Sequence, residues 1–213
     1  MFLCLDADAD LGTADCSVQQ QEISAGQRCR MISHRKQTGA YYTPDQVVQS
    51  LVQWAVHSAK DRLLDPSCGD GRFLEKHANS VGLERDPAAA ATAIARAPSA
   101  LVHEGEFFAW AASTNERFEC AAGNPPFIRY QSFKGTDRKV ALDLCSKLGA
   151  DFSGLSSSWA PFLVATASLL KAGGRMAFVL PAEVGHAPYA APLLEYLAAH
   201  FGTVQIIAVR NKL

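Results

Sequence analysis

The fold can be read outward from nine residues, Leu63-Leu64-Asp65-Pro66-Ser67-Cys68-Gly69-Asp70-Gly71. Two leucines before an acid predict the end of a buried strand, and the glycines predict a tight turn into a helix covering Asp70 to about Asn79. Glycines at such a turn let a ligand approach the backbone closely. Leu74 stands where the dinucleotide fingerprint G-x-G-x-x-G has its third glycine, so no bound pyrophosphate is expected. A carboxylate at the strand end, Asp65, suits a cationic or amine-bearing ligand.

Strands and helices alternate from residue 62 to the end of the chain. The predicted strands cover residues 63–65, 81–84, 100–102, 117–123, 175–180 and 204–209. The predicted helices cover about 43–55, 70–79, 87–97, 106–112, 157–171 and 189–200, and residues 128–155 are expected to form a long loop. This alternation predicts an α/β fold with a mostly parallel sheet and helices on both faces.

The composition is that of a globular chain. It has 213 residues, of which 48% are hydrophobic and 19% charged, and its formal net charge is -1. That balance does not indicate general nucleic-acid binding, so any such surface must be local. Six cysteines form no C-x-x-C pair and no Cys/His cluster, which predicts no metal site and no disulfides and favours a cytoplasmic location. No apolar run approaches the ~18–20 residues that cross a bilayer, so no membrane segment is expected.

Residues 1–30 differ from the rest of the chain. They are acidic, then Gln-rich, without an apolar period, and we expect them to be disordered or loosely attached. The opening Met1-Phe2-Leu3-Cys4-Leu5 is too short for the core of a signal peptide. The folded domain is therefore expected to span residues 31–213, and Met31 is a candidate for the natural start.

A rigid corner follows the strand predicted at 117–123. It reads Asn124-Pro125-Pro126-Phe127, and its two prolines fix φ and remove two N–H donors. What remains for a ligand is the Asn124 side-chain oxygen, the Pro125 carbonyl and the aromatic face of Phe127. Two acceptors that grip a conjugated amine favour a pyramidal nitrogen, which could then attack a methyl group. An aromatic ring could hold a flat substrate beside them, although Asn-Pro is also a common turn.

Two acids end the next predicted strands. In such folds an acid placed like Glu84 accepts hydrogen bonds from ribose hydroxyls. Glu106 could accept a hydrogen bond from an adenine amine, and a phenylalanine of the following Phe107-Phe108 pair could pack on the ring. Together these residues describe a pocket for a ribose, an adenine and a charged tail without phosphate. S-adenosylmethionine has those parts and carries the methyl group that the Asn124 corner requires.

The chain resembles the adenine-N6 DNA methyltransferases of restriction–modification systems over residues 36–213. Gly39-Ala40-Tyr41-Tyr42-Thr43-Pro44 is similar to the N-terminal cofactor motif of that family, and the resemblance implies that Thr43, which could also cap the following helix, touches the methionine carboxylate. Asn124-Pro125-Pro126-Phe127 matches the catalytic motif. The resemblance implies a Rossmann-like class I methyltransferase fold. The implied cofactor-binding residues are Tyr42, Thr43, Pro44, Asp65, Pro66, Ser67, Cys68, Gly69, Gly71, Glu84, Arg85, Glu106, Phe107 and Asn124.

Two features depart from that family. Glu106 stands where many relatives carry Asp, and the chain ends at Leu213, before the final strand, an aromatic motif and the target-recognition domain of family members. The predicted fold is therefore C-terminally truncated, and a separate target-recognition polypeptide or domain is an expected partner besides DNA.

The substrate has competing interpretations. A loop that carries Arg129, Lys134, Arg138 and Lys139, with Tyr130 and Phe133 between them, fits DNA contacts. The leading hypothesis is methyl transfer to adenine N6 in DNA. One alternative is methylation of glutamine amides in release factors, which uses the same corner. Another is a non-catalytic cofactor- or DNA-binding subunit of a split enzyme. A nicotinamide dehydrogenase is disfavoured by the missing third glycine.

Overall fold

The computed structural model describes residues 1–6, 43–128, 131–152, 156–185 and 190–208. The strands in these ranges are β1 (Phe2–Asp6), β2 (Leu63–Asp65), β3 (Ser80–Glu84), β4 (Leu101–Glu104), β5 (Phe118–Gly123), β6 (Leu170–Val179) and β7 (Thr203–Ile207). The α-helices are α1 (Asp45–Ala55), α2 (Pro87–Arg96), α3 (Phe107–Ala111), α4 (Gly135–Lys147), α5 (Trp159–Ala167) and α6 (Ala191–His200).

All seven strands join one sheet, in the order β4-β3-β2-β5-β6-β1-β7. The pairs from β4 through β6 are parallel, and β1 runs antiparallel to both of its neighbours. Successive residues of a strand point to opposite faces, so Leu63 packs with α1 on one face while Leu64 packs with α3 to α6 on the other. This mostly parallel sheet with helices on both faces confirms the predicted fold class.

The strand order reverses between β2 and β5, which is where the sheet positions a site. β2 pairs with β3 on one side and with β5 on the other. At such a switch point the loops after the two strands diverge and open a crevice at the carboxyl ends of the strands. Asp65 is the last residue of β2, and Asn124 follows Gly123, the last residue of β5.

For residues 2–6, the prediction of a disordered or loosely attached segment is wrong. They form β1, in which Leu3 and Leu5 are fully buried between β6 and β7. Arg175 of β6 forms an ion pair with Asp6 at 2.5 Å. Four apolar residues followed by an aspartate show no period of their own, and their partners lie about 170 to 205 positions away, so local pattern does not reveal this strand. Residues 7–30 lie outside the described ranges.

Three helix assignments also change. The helix predicted at 157–171 ends at Ala167, and Leu170 and Lys171 already belong to β6. Instead of a helix over 70–79, turns lead to a 3-10 helix, Leu74–Lys76, because Gly69 and Gly71 adopt positive φ values of +54° and +84°. The predicted loop at 128–155 contains α4, whose buried residues are Ala141 and Cys145. So small a buried stripe produces little helical periodicity in the sequence.

Within the described ranges, no helix is long and apolar enough to cross a membrane. The same ranges hold no group of three or more side chains that could bind a metal ion.

Candidate functional site

The ends of β2 and β5 meet closely at the switch point. A Cβ atom on Gly123 would lie 2.7 Å from Asp65 Oδ1 and 3.1 Å from Phe178, so only glycine lets the two strand ends approach this far. The Ser67 hydroxyl donates a hydrogen bond to the Asn124 carbonyl at 3.2 Å. The glycine-rich turn and the Asn-Pro-Pro-Phe corner are therefore one continuous structure.

Asp65 is the buried acid of this structure, with only 1% of its surface exposed. Its Oδ1 accepts a hydrogen bond from the Ser67 N–H at 3.2 Å, whereas Oδ2 has no hydrogen-bond partner among the described residues. Burial raises the pKa of Asp65 to about 8, and the nearby charges of Glu84 and Asp70 raise it further against the lowering effect of Ser67. A buried carboxyl group with one unused oxygen is suited to receive a cationic or amine group of a ligand.

Glu84 is held in place by two backbone donors. Its Oε2 accepts a hydrogen bond from the Gly69 N–H at 2.9 Å, and its Oε1 accepts one from the Asp86 N–H at 2.8 Å. Gly69 supplies its N–H from a backbone with φ of +54°, which a residue with a side chain rarely adopts. The acid predicted to face ribose hydroxyls is thus oriented by the glycine-rich turn.

A cavity opens beside the switch point and collects seven of the predicted residues. They are Pro66, Ser67, Glu84, Arg85, Glu106, Phe107 and Pro126. Cys68 and Gly71 face elsewhere: a Cβ on Gly82 would lie 2.7 Å from Cys68 Sγ, and one on Gly71 would lie 2.8 Å from Ala93 Cα. These two predicted cofactor contacts are better explained by packing of the turn against β3 and α2.

The far side of the cavity is acidic and aromatic. Glu106 Oε1 lies 3.7 Å from Arg85 Nη1. Burial raises the pKa of Glu106, the Asp137 carboxylate adds to the rise, and Arg85 opposes it. The Phe107 ring packs against Phe162 with centroids 4.5 Å apart. This side offers an acceptor beside apolar rings.

Part of the cavity wall was not predicted. These residues come from the segment after the corner and include Ile128, Phe133, Lys134, Asp137, Ser158 and Phe162. Phe133 is buried at 5% exposure and packs on Phe108 with centroids 6.0 Å apart, so the expectation that it stacks on DNA is wrong. Arg129 and Tyr130 lie outside the described residues. The apolar run of α5 was visible in the sequence, but nothing local indicated that it returns to the corner.

The corner itself contacts the N-terminal motif. Asn124 Nδ2 donates a hydrogen bond to Thr43 Oγ1 at 3.3 Å, and Thr43 is buried. Thr43 does not cap α1, because the residue at the N-cap is the exposed Pro44 and its helix has no side-chain cap. Phe127 remains 37% exposed at the mouth of the crevice. Tyr42, the remaining predicted residue of that motif, lies outside the described ranges.

The chain has the class I S-adenosylmethionine-dependent methyltransferase fold: a protein of Listeria monocytogenes described as such a methyltransferase superposes with a TM-score of 0.55 and 16% identity, over 73% of this chain and 49% of that chain. A protein of Vibrio vulnificus assigned as the modification subunit of a type I restriction enzyme superposes with a TM-score of 0.62 and 17% identity, over 77% of this chain and 39% of that chain. The M protein of the type I restriction enzyme EcoKI superposes with a TM-score of 0.53 and 14% identity, over 76% and 38%.

Family comparisons identify the group within that fold. The model described as Eco57I restriction-modification methylase matches residues 70–212, and the model described as N-6 DNA Methylase matches residues 31–95. The chain belongs to the Eco57I restriction-modification methylase family, which confirms the resemblance drawn from the motifs.

The curated relatives are type II methyltransferases. M.XamI of Xanthomonas campestris pv. amaranthicola is 28% identical over 190 residues, covering 82% of this chain and 36% of the relative. M.TthHB8I of Thermus thermophilus is 28% identical over 158 residues, covering 68% and 35%. The chain therefore spans about a third of the length of these relatives.

Proposed function

We propose that this chain transfers a methyl group from S-adenosylmethionine to the N6 amine of adenine in DNA, within a restriction–modification or other DNA-modification system. The observation that carries the proposal is the junction between Asp65 and the Asn124 corner. Ser67 joins the two parts, because its N–H donates a hydrogen bond to Asp65 and its hydroxyl donates one to the Asn124 carbonyl. Asp65 Oδ2 has no hydrogen-bond partner among the described residues, and the corner beside it carries two acceptors suited to a planar amine.

Residues that line the cavity, together with Asp65 at the adjoining end of β2, fit the cofactor; Asp65 itself is buried and does not line the cavity. S-adenosylmethionine, when bound, supplies the methyl group. Asp65 Oδ2 would accept a hydrogen bond from the ammonium group of the methionine part, and Glu84 would accept hydrogen bonds from the ribose hydroxyls. Glu106 would accept one from the adenine amine. Phe107 lines the cavity, but its ring is buried against Phe162, so it would meet the adenine with only a small part of its surface. Burial raises the pKa of Asp65 to about 8, and a bound cation would favour its charged form.

The chain's contribution to the reaction is positioning and electrostatics. The Asn124 side-chain oxygen and the Pro125 carbonyl would accept the two N6 hydrogens of a flipped adenine, which builds electron density on nitrogen. Phe127, exposed at the crevice mouth, would stack on the base. No general base is required at the corner, because the methylated nitrogen can release its proton to water after the transfer.

The DNA surface and the partner are also proposals. Lys134 and Lys139 are exposed at the start of α4, where they could contact phosphates. Since the relatives are about three times longer, we propose that target recognition comes from a separate domain or polypeptide. A protein that modifies DNA in this way would work in the cytoplasm.

The direct test is methylation of DNA that lacks N6-methyladenine. The purified chain is incubated with tritiated S-adenosylmethionine and DNA, and nucleosides are analysed by mass spectrometry. N6-methyladenine formed by the wild type and lost in Asn124→Ala at saturating S-adenosylmethionine would support the proposal. Label appearing only in a release factor would support glutamine methylation instead. Cofactor binding without any turnover, restored by a second polypeptide, would indicate a split enzyme.

A further inference from the structure

Ser158 is a fully buried residue that touches the catalytic corner from a distant part of the chain. Its hydroxyl donates a hydrogen bond to the Pro126 carbonyl at 2.5 Å and accepts one from the Ile128 N–H at 3.0 Å. Its own N–H donates to the Ile128 carbonyl at 3.0 Å. One residue therefore holds both peptide groups that flank Phe127.

The corner needs such external support. Pro125 and Pro126 have no N–H, so they cannot tie this turn together by backbone donation. The exposed ring of Phe127 gains little orientation from packing. The Ser67 hydroxyl binds the carbonyl of Asn124, the first residue of the corner, and the Ser158 hydroxyl binds the carbonyl of Pro126 near its end. The Pro125 carbonyl lies between these two attachment points.

Ser158 is itself held on a rigid base. It immediately precedes α5, in which all residues from Trp159 to Thr166 are buried. The hydroxyl is thus presented to the corner from a helix packed in the core rather than from a mobile loop. Hydroxyl groups of this kind orient reacting groups without touching the reacting atoms.

We propose that Ser158 is a positioning residue that sets the geometry of the Asn124–Phe127 corner and thereby the rate of methyl transfer. This inference rests on the proposed function for its rate effect, but its geometric part does not. Without the hydroxyl, the Pro126 carbonyl and the Ile128 N–H lose their hydrogen-bond partner. Only a fraction of the molecules then presents the Pro125 carbonyl and Phe127 in the correct geometry. Because the rate scales with that fraction, kcat falls.

The test uses three variants of the full chain. Ser158→Ala removes both hydroxyl hydrogen bonds, and Ser158→Thr keeps a hydroxyl. Ser156→Ala is the matched control, since Ser156 is equally buried but its Oγ has no hydrogen-bond partner among the described residues. We measure hydrogen exchange of the Ile128 amide, affinity for S-adenosylmethionine by calorimetry, and methyl transfer to DNA.

The expected result is specific to Ser158→Ala. Exchange of the Ile128 amide accelerates about tenfold or more, and kcat, measured at saturating S-adenosylmethionine because Ser158 also lines the cavity, falls by a similar factor. Ser158→Thr restores both properties, and Ser156→Ala changes neither. Unchanged exchange, or faster exchange with unchanged kcat, would overturn the proposal. An inactive wild type would instead refute the proposed function, and the exchange comparison would still decide whether Ser158 holds the corner.

Discussion

Asp65 is a carboxyl group whose pKa lies far above its ordinary value of 3.8. Its pKa of about 8 means that in the ligand-free protein the carboxyl group is mainly protonated at neutral pH. Binding an ammonium group favours the carboxylate, so ligand binding must expel that proton.

Cofactor affinity should increase with pH below 8. Between pH 5.5 and 7.5 the ammonium group of the cofactor stays mostly protonated, and each pH step of one should strengthen binding by about tenfold. Calorimetry in buffers of different ionisation enthalpy should detect about one proton released near pH 6.5. Asp65→Asn should abolish binding, whereas Glu84→Gln should weaken binding and keep the proton release. An affinity that is constant over this range would contradict the role of Asp65.

The stability of the ligand-free protein, unlike the cofactor affinity, should decrease as the pH rises. The pKa of Asp65 is about 8 in the folded state against 3.8 in the unfolded state. Between these values the folded state holds the proton more tightly, so Asp65 contributes less stability as the pH rises. Urea unfolding at pH 6 and pH 8 should show that Asp65→Asn becomes increasingly stabilising, relative to the wild type, at the higher pH. A difference that does not change with pH would contradict the raised pKa.

At the scale of elements, the start of α4 forms part of the wall of the cavity beside the switch point. Its preceding residue Lys134 and its residue Asp137 line the cavity, and Phe133 packs on Phe108 of α3. The segment expected to be a DNA-facing loop therefore forms a wall of the cavity. The two phenylalanines on either side of the undescribed residues 129–130 have opposite roles, since Phe133 is buried and Phe127 is exposed.

Replacing each phenylalanine by alanine should separate stability from activity. Phe133→Ala leaves a cavity under α4 and should destabilise the protein by about 3 kcal/mol, with weaker cofactor binding. Phe127→Ala should change stability by less than about 1 kcal/mol and leave cofactor affinity intact, yet reduce methylation of DNA. Thermal unfolding, calorimetry and the methylation assay measure these three quantities. Equal stability of the two variants would contradict the assigned packing.

At the scale of the whole molecule, β1 completes the sheet. β6 and β7 are both its antiparallel partners, so without β1 the sheet would end at β6 and β7 would have no strand beside it. The strand pairs Leu3 with Phe178 on one side and Ile206 on the other. A chain beginning at Met31 would lose these contacts and the ion pair between Asp6 and Arg175.

A single charge introduced into the buried part of β1 should therefore destabilise the protein strongly. Leu5→Asp places an unpaired carboxylate at a position with no exposure, and should cost about 4 kcal/mol or more. Ile206→Asp, on the neighbouring strand but 39% exposed, is the control and should cost about 1 kcal/mol or less. Deletion of residues 1–30 should resemble Leu5→Asp in circular dichroism and thermal unfolding. A deletion variant that melts like the wild type would show that β1 is dispensable.

Local chemistry in the sequence determined the fold class and most of the site. The leucines and acid of β2, the glycines of the turn and the two prolines of the corner act through backbone preferences that neighbouring residues alone impose. These local features placed Asp65 and Asn124 at the ends of strands, and the apolar run before Glu84 did the same for that acid. Only the tertiary structure decided the role of β1, the wall formed by α4, and the support of the corner by Ser158.

Local sequence patterns could not reveal these features, because the interacting groups lie far apart along the chain. Ser158 lies 32 positions from Pro126, and β1 pairs with strands near the other end of the chain. The raised pKa of Asp65 likewise depends on burial by elements far away in sequence. Periodicity and motif spacing report on neighbours within a few residues, whereas these properties arise only when distant segments pack together.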